Sequence, residues 1–543
     1  MSKVLGLCFS RSSQLLLVTI FLMVLPTFLY WNTTWLPYGL RDDYSVTRES
    51  REEHGKEVQF CGSQARPIYG WLLQTTFKHI DHIRDLSWSR LIGSFCLGLL
   101  SATACAILFL MYGWSLVTAA CVGALLALVP SGQMVASWSI LWPYAVSALL
   151  SMCAFAIAER SFRDSTRSWV KRLGWACLAG VVVIASSWIF QPNGLFYLVF
   201  VAVGVVRRGE WSRQTSRLRL IQHMLLLGGS LLLAYAFIRL FFAIGWLPMS
   251  KRIAFEPDIP GKLVWFARNA LPNALALLVL NDFQGRTTPY YQIAVAAMGL
   301  LLLSGGMLVG RRHGWREAVV WFGAFLVLVV GAYSINIVAS ERWPSYRTIY
   351  PLVGIVIVFS AASMEVLGEA VPVLKRWRHG LGLALVVVAA VLARKQAYEL
   401  IAVPQNKEYR LVEQESKKLD LARDQKVYVI TPTPAIAPAR LLYSDEFGSL
   451  STDSDWVPKE ILKLVFYEKY PAMPPCRSLD HMVSGEKPPR EGSYDVVIDL
   501  RGLRSLPELK LSAGVPRCGR RPSSQWPRRF FRFVGRHRGT RPD

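Results

Sequence analysis

Residues Leu15–Tyr30 read LLLVTIFLMVLPTFLY, an apolar run with no charged side chain, preceded by Lys3 and Arg11. Basic residues ahead of an apolar run are the layout of a secretory signal. The next residues, however, are Asn32-Thr33-Thr34-Trp35 rather than a small-residue cleavage site. The run is therefore read as a retained signal anchor with its N-terminus in the cytoplasm. Further runs of roughly 17 to 25 residues, the length that spans a hydrocarbon layer, recur along the chain. They lie around residues 91–112, 115–129, 140–158, 173–190, 195–206, 220–244, 293–308, 319–338, 349–367 and 381–392.

Composition agrees with the pattern. The 543 residues are 52% apolar and only 18% charged, with a mean hydropathy of +0.31. These values exclude disorder, a coiled coil, and a soluble enzyme on a single anchor. Lys and Arg number 61 against 37 Asp and Glu, a net +24. With the N-terminus inside, the loops 159–172, 207–219, 311–316 and 375–379 are all cytoplasmic and all basic, as the positive-inside rule requires. The surplus is thus topological and does not call for nucleic acid.

The scheme gives roughly eleven crossings, provided that Lys262–Leu280 makes no net crossing. Arg268, Asn269, Pro272 and Asn273 inside that run suit an interfacial or re-entrant segment. The expected fold is an α-helical polytopic membrane protein, with residues 1–394 forming the transmembrane part. Residues 395–513 read as a small extracytoplasmic α/β domain, with strand-like Lys426–Thr431 and Tyr494–Leu500 and an amphipathic Val457–Tyr470. Residues 514–543 carry nine Arg and read as a disordered tail. Cys61, Cys476 and Cys518 fall on the outer side, where a bridge such as Cys476–Cys518 is permitted.

P-loop, Rossmann, GxSxG and HExxH motifs are absent, so any chemistry must come from polar groups gathered at a membrane face. The first outer loop offers Arg41-Asp42-Asp43-Tyr44. Adjacent carboxylates near a bilayer mouth can have one pKa raised while a cation holds the other ionised, which suits a general base or a metal ligand. Ala65-Arg66-Pro67 opens a surface-lying helix, with Pro67 in its first turn and Tyr69 and Trp71 at headgroup level. His79, Asp81, His82 and Asp85 read as the wet face of that helix, and Gln191-Pro192-Asn193-Gly194 as a tight turn. Ser340–Thr348 places Arg342 and Arg347 on the outer face, against the positive-inside trend, where they can grip a phosphate by charge-assisted bonds.

An acidic pair after the first span, Arg66-Pro67 opening an interfacial helix, and then Ser340-Glu341-Arg342-Trp343-Pro344-Ser345-Tyr346-Arg347-Thr348 together resemble the bacterial glucosyltransferases of the GtrII type. They also resemble the wider GT-C superfamily of polytopic membrane glycosyltransferases. The likeness covers roughly residues 1–390, and Asp445-Glu446-Phe447-Gly448 resembles the outer tail of such proteins. The resemblance implies transfer of a sugar, glucose or another hexose, from a polyprenyl-phosphate carrier to an extracytoplasmic glycan or glycolipid such as lipopolysaccharide O-antigen. It implies a bacterial inner-membrane enzyme whose catalytic residue is Asp42 or Asp43. Arg66, Arg342 and Arg347 then contact the donor phosphate, and Tyr44, Glu341, Tyr346 and Asp282 the substrates. A divalent cation, Mg or Mn, is the candidate cofactor. Where that family has Gly-Arg-Pro, this chain has Ala65-Arg66-Pro67.

Topology supports the same expectation. Sugar nucleotides belong to the cytoplasm, so an outward-facing transferase needs a donor delivered through the membrane. A phosphate leaves as a stable anion and needs cations, not the proton an expelled alkoxide requires. Direct displacement inverts the anomeric centre. The competing expectations are an O-antigen polymerase or ligase, and a lipid-linked-sugar transporter or flippase. The latter is expected to carry mid-span charges and paired interrupted helices.

Overall fold

A computed structural model describes residues 11–163, 168–206, 213–250, 253–282, 288–420, 425–432, 443, 445–469 and 482–504. Among them, nine helices are long and apolar enough to cross a membrane, or ten if a bent pair counts as one span. In chain order the principal elements start with α1 (Arg11–Leu29), α2 (Asp42–Glu52), α3 (Lys56–Ser63), α4 (Pro67–Phe77) and α5 (Leu86–Ala106). The bent pair is α6 (Leu116–Leu128) and α7 (Pro130–Ser137), followed by α8 (Trp142–Arg163), α9 (Trp169–Ile189) and α10 (Tyr197–Val206). Then come α11 (Arg213–Ala243), α12 (Thr288–His313), α13 (Trp315–Ala332), α14 (Tyr350–Ala370) and α15 (Pro372–Lys395). The expected eleventh crossing corresponds to the shorter apolar helix Gln191–Val206.

The bend between α6 and α7 is 54°. Pro130 has no N–H to continue the ladder, and Gln133 Nε2 donates to the freed Leu128 carbonyl at 2.9 Å. Residues 262–280 form only short helical pieces, Ile259–Trp265, a π-turn Phe266–Ala270 and Leu271–Leu275, as an interfacial segment would. Outward-facing Leu16, Leu17, Phe21 and Phe28 on α1, like Leu232 and Leu233 on α11, leave apolar side chains exposed where lipid solvates them.

Followed through the connections, the basic ends of α8 (Arg160, Arg163) and α12 (Arg311, Arg312) and the basic start of α15 fall at one end of the bundle. A buried polar clamp ties that end together. Glu159 binds Arg163 Nε at 2.6 Å and His223 Nε2 at 2.8 Å, and His223 Nδ1 meets the Tyr197 hydroxyl at 2.6 Å. It joins α8, α10 and α11 with every partner satisfied, the condition under which a buried polar network rigidifies a core.

At the opposite end the chain builds surface elements. Tyr69, Leu73 and Phe77 of α4 recur at four-residue spacing and are buried, Trp71 points outward, and Pro67 occupies the first turn. The helix α15 runs on through a π-turn (Gln396–Ala402) into α16 (Val403–Glu415) and delivers the C-terminal segment to this end. There β1 (Val427–Ile430), β2 (Val483–Gly485) and β3 (Val496–Asp499) form a parallel sheet in the order β2-β1-β3, with Tyr428 opposite Val483 and Val497. β1, β3 and α17 (Val457–Lys469) match the predicted elements; β2, only three residues long, was not predicted. Arg48 on α2 binds Glu460 on α17 at 2.9 Å, and Arg51 donates to the Tyr467 hydroxyl at 3.1 Å, so the α/β segment rests on the first loop. Cys61 is buried with a free thiol, while Cys476, Cys518, Lys251, Arg252, Phe283 and the Arg-rich tail lie outside the described residues.

The α1–α5 crossing depends on Gly98, where an added Cβ would come 2.0 Å from the Met23 carbonyl oxygen. Gly98→Ala is expected to lower the stability of the detergent-solubilised protein by about 1–3 kcal/mol, the usual cost of overpacking. Gly174→Ala, with nothing within 4 Å of the new methyl, is expected to leave it unchanged. Thermal denaturation of both variants beside wild type measures the difference.

Candidate active site

Between α1 and α2 the chain makes one short helix, Trp31–Trp35, and then runs non-helical over residues 36–40, so the carbonyls at that helix end and along the extended stretch need partners that neither a longer helix nor lipid supplies. Arg90, fully buried, provides them. Its guanidinium donates to the carbonyls of Thr34 (3.1 and 3.0 Å), Leu36 (2.9 Å) and Tyr38 (2.8 Å) and to Ser139 Oγ (3.1 Å), and it lies 4.1 Å over the Tyr38 ring. Asp43 does the converse. Its Oδ2 accepts the Leu40 N–H at 2.9 Å and its Oδ1 the Ile140 N–H at 3.0 Å. Burial pushes the Asp43 carboxyl up to about 7, against the pull of the Leu40 N–H and Arg90. With both oxygens spent on backbone and no exposure, Asp43 fixes the loop. Tyr44 is likewise buried, its hydroxyl donating to the Gly39 carbonyl at 2.9 Å.

Asp42, half-buried at the start of α2, turns to a different set of groups. Its charge is felt by Arg347 and Glu446, and Asp42, Arg66 and Arg347 are all electrostatic neighbours of the Tyr144 phenol. Three predicted residues, Asp42 and Arg66 from the first outer region and Arg347 from far downstream, thus lie within electrostatic reach of one tyrosine, which sequence reasoning missed. Tyr144 stacks on Phe190 with ring centroids 3.8 Å apart, and Arg66 lies 5.1 Å over Phe190.

The two arginines of this cluster are held differently. Arg66 donates from Nε to Gln191 Oε1 at 2.9 Å and reaches the Tyr144 hydroxyl at 3.5 Å; among the described residues it has no carboxylate partner. Gln191 in turn donates to the carbonyls of Gln64 (3.1 Å) and Ala65 (3.0 Å), so the supposed tight turn is a single helical turn that positions Arg66. Arg347 lies 4.6 Å over Trp138 and is shared between Asp445 (3.8 Å) and Glu446 (3.7 Å), distances too long for strong charge-assisted bonds. Arg41 grips Glu446 with both terminal nitrogens, at 3.0 and 2.8 Å. Burial pushes the Glu446 carboxyl up, with Arg41 opposing. Asp445 Oδ2 accepts Ser345 Oγ–H at 2.7 Å and the Tyr346 N–H at 3.1 Å. Three buried polar atoms at this cluster, Arg41 Nε, Trp138 Nε1 and Asp445 Oδ1, have no hydrogen-bond partner.

The remaining predicted residues are placed elsewhere. Arg342 is exposed and pairs with Glu256 (3.3 Å) and Asp258 (3.8 Å). Glu341 offers its carbonyl to Lys262 Nζ at 2.6 Å. The Tyr346 hydroxyl accepts the Asn281 N–H at 3.3 Å, and its ring meets Phe447 edge-on. Asp282 is buried and bridges to Tyr443. These last two join the loop to the C-terminal segment. Among the described residues no group of three or more His, Cys, Asp or Glu is arranged to hold a metal ion.

Backbone strain concentrates here. Four non-glycine residues have positive φ, and three of them, Arg41 (46°), Ala65 (63°) and Asp445 (65°), flank the cluster. No family model and no curated protein matches the chain. Among solved structures, the apo crystal structure of ArnT from Cupriavidus metallidurans is similar at 13% identity and a TM-score of 0.38, over 78% of this chain and 83% of that one.

Ala65→Gly relieves a left-handed conformation that costs a β-carbon roughly 1–2 kcal/mol, so it is expected to raise thermal stability by about 1 kcal/mol. Because Asp43 titrates higher folded than unfolded, the folded protein binds the extra proton between about pH 4 and pH 7. Its contribution is full at low pH and lost as pH rises through that window. Melting temperatures followed from pH 4 to 8 are expected to fall less steeply with pH in Asp43→Asn than in wild type.

Proposed function

We propose that the protein is a membrane glycosyltransferase that moves a hexose from a polyprenyl-phosphate carrier to an extracytoplasmic glycan such as lipopolysaccharide O-antigen. The observation that carries the reading is Arg66, held at the Tyr144 hydroxyl (3.5 Å) by neutral oxygens with no carboxylate partner among the described residues, with Asp42 and Arg347 within electrostatic reach of the same phenol. A base and a pair of anion-stabilising cations are what displacement of a phosphate from an anomeric carbon requires. In this reading the site end of the bundle faces outward, and the basic end, with Arg160, Arg163, Arg311 and Arg312, faces the cytoplasm of a bacterial inner membrane.

Asp42 takes the proton of the acceptor hydroxyl as its oxygen attacks the anomeric carbon. The bond from that carbon to the phosphate oxygen breaks, and the pair of electrons leaves with the phosphate. Arg66, lacking a competing carboxylate among the described residues, is the first cation the leaving phosphate meets. Arg347, only loosely held by Asp445 and Glu446, is the second. The attack comes from the face opposite the phosphate, so the anomeric centre inverts. Asp43 positions Asp42 by anchoring the start of α2 and is not itself the base.

Compositional and linkage analysis of surface glycans from cells with and without the gene identifies the transferred sugar. Asp42→Asn is expected to reduce its transfer roughly 100-fold or more, the contribution of a positioned base, at unchanged protein level in the membrane. Arg66→Ala is expected to raise the KM for the lipid-linked donor, whereas Arg342→Ala, altered at an exposed ion pair, is expected to stay near wild type. Full transfer by Asp42→Asn would eliminate the assignment.

A further inference from the structure

A cavity of about 440 Å³ with a mixed polar and apolar lining opens where α4 ends and α5 begins, and the proposed transfer reaction makes no use of it. Its wall includes Thr76, His79, Asp81, Asp85, Trp88 and Ser89. Trp88 is 58% exposed, yet its ring is not loose: Trp35 packs against it edge-to-face at 5.5 Å and 82°, and Trp31 packs on Trp35 at 5.5 Å. Ser89 is 1% exposed, and its hydroxyl has no hydrogen-bond partner. An orphaned hydroxyl at that depth is costly, and here Ser89 lines a cavity large enough for a small polar ligand.

The charges select among ligands. Asp85 Oδ2 accepts the N–H groups of Asp81 and His82, and Asp81 pairs with Arg51, which leaves the two carboxylates with lone pairs directed to further donors. Two carboxylates in one wall repel a phosphate, so an anionic lipid headgroup is disfavoured. An aromatic belt at the membrane surface would explain three exposed tryptophans, but not the buried hydroxyl or the acidic wall. A rigid, exposed indole face beside carboxylate acceptors and a hydroxyl matches a pyranose ring, which presents an apolar C–H face and an edge of hydroxyl donors.

We propose that this cavity binds a neutral sugar unit, an acceptor-glycan subsite separate from the reacting centre. That the sugar belongs to the acceptor rests on the glycosyltransferase reading. α2 connects the two places: Asp42 opens it, Arg51 holds Asp81, and nine residues of helix at 1.5 Å each separate them by about 14 Å. The spacing of the two ends of α2 is that of a few sugar units, so a glycan longer than one residue can occupy the cavity and still reach the other end of this helix.

Saturation-transfer NMR on the detergent-solubilised full chain tests the proposal with methyl glucoside, methyl galactoside, methyl mannoside and methyl rhamnoside, and with phosphoethanolamine as a headgroup probe. At least one glycoside is expected to receive saturation from wild type and to lose at least fivefold of it in Trp88→Ala. Ser89→Ala, which removes only the unpartnered hydroxyl, is expected to weaken the same signal without lowering the melting temperature. Asp42→Asn is expected to bind as wild type does, so a failed assignment of the base leaves this result standing. Glycoside signals indifferent to both cavity variants, or a phosphoethanolamine signal that alone depends on Trp88, would overturn the subsite.

Discussion

A guanidinium with no exposure to solvent, that of Arg90, holds the short helix Trp31–Trp35 and the non-helical residues that follow it against the bundle. The carbonyls of Thr34, Leu36 and Tyr38 all terminate on it. In a membrane protein, irregular backbone at the lipid boundary survives only where protein satisfies its polar groups. Arg90 supplies donors for three carbonyls, and Asp43 supplies acceptors for two N–H groups of the same region. Each also lies in the field of the other, which compensates the cost of burying both. Removing either one leaves the other charge buried without compensation, a loss on the order of 3–5 kcal/mol. Lys in place of Arg90 would not serve, because a point charge with three donors cannot reproduce the planar fork that meets several carbonyls together.

With that loop fixed, the neighbouring residue Asp42 is held at the start of α2, within electrostatic reach of Tyr144, Arg347 and Glu446. Three arginines (Arg41, Arg66, Arg347) and three carboxylates (Asp42, Asp445, Glu446) share this region, yet their pairing is uneven. Arg41 is engaged by Glu446, whereas Arg66 is held by neutral oxygens. A cation positioned by an amide and a phenol keeps its field for an incoming anion, whereas one locked to a carboxylate does not. The strained φ values at Arg41, Ala65 and Asp445 lie in the three segments that deliver these groups. Strain of that kind persists only where surrounding contacts over-determine the backbone. Gln191 clamping the carbonyls of Gln64 and Ala65 and Ser451 Oγ accepting the Arg41 N–H are two such contacts.

The bundle was legible because hydropathy and basic ends are local signals; each span and its flanks can be read without knowing their neighbours. So was the placing of Asp42, Arg66 and Arg347 in connections between spans, since polar groups between apolar runs are also a local signal. Deciding between Asp42 and Asp43 was not possible, because the distinction lies in the N–H of Ile140, 97 residues away. Tyr144 was hidden in an apolar run, and Gln191 looked like turn chemistry, though its side chain crosses to residues more than a hundred positions earlier. Arg342 and Arg347 are equivalent in sequence, five residues apart in one loop; the structure separates them because Glu256 captures the first and Trp138 covers the second. Ala65 carried a local hint, since a position where glycine is expected is one where the backbone turns left-handed.

The same loop helix explains why rigidity at one point reaches across the face. α2 begins beside the reactive cluster and ends at Arg51, which holds Asp81 at the rim of the Trp88 cavity, while Arg48 and Arg51 bind Glu460 and Tyr467 of α17. Its two ends are therefore fixed by unrelated parts of the chain, and a straight helix of this length does not compress. A glycan that touched both ends would meet a spacing set in advance by the backbone instead of by mobile side chains. In the proposed reaction, fixed spacing of this kind would let binding energy gained remote from the reacting atoms orient an acceptor hydroxyl toward Asp42 and so lower the barrier.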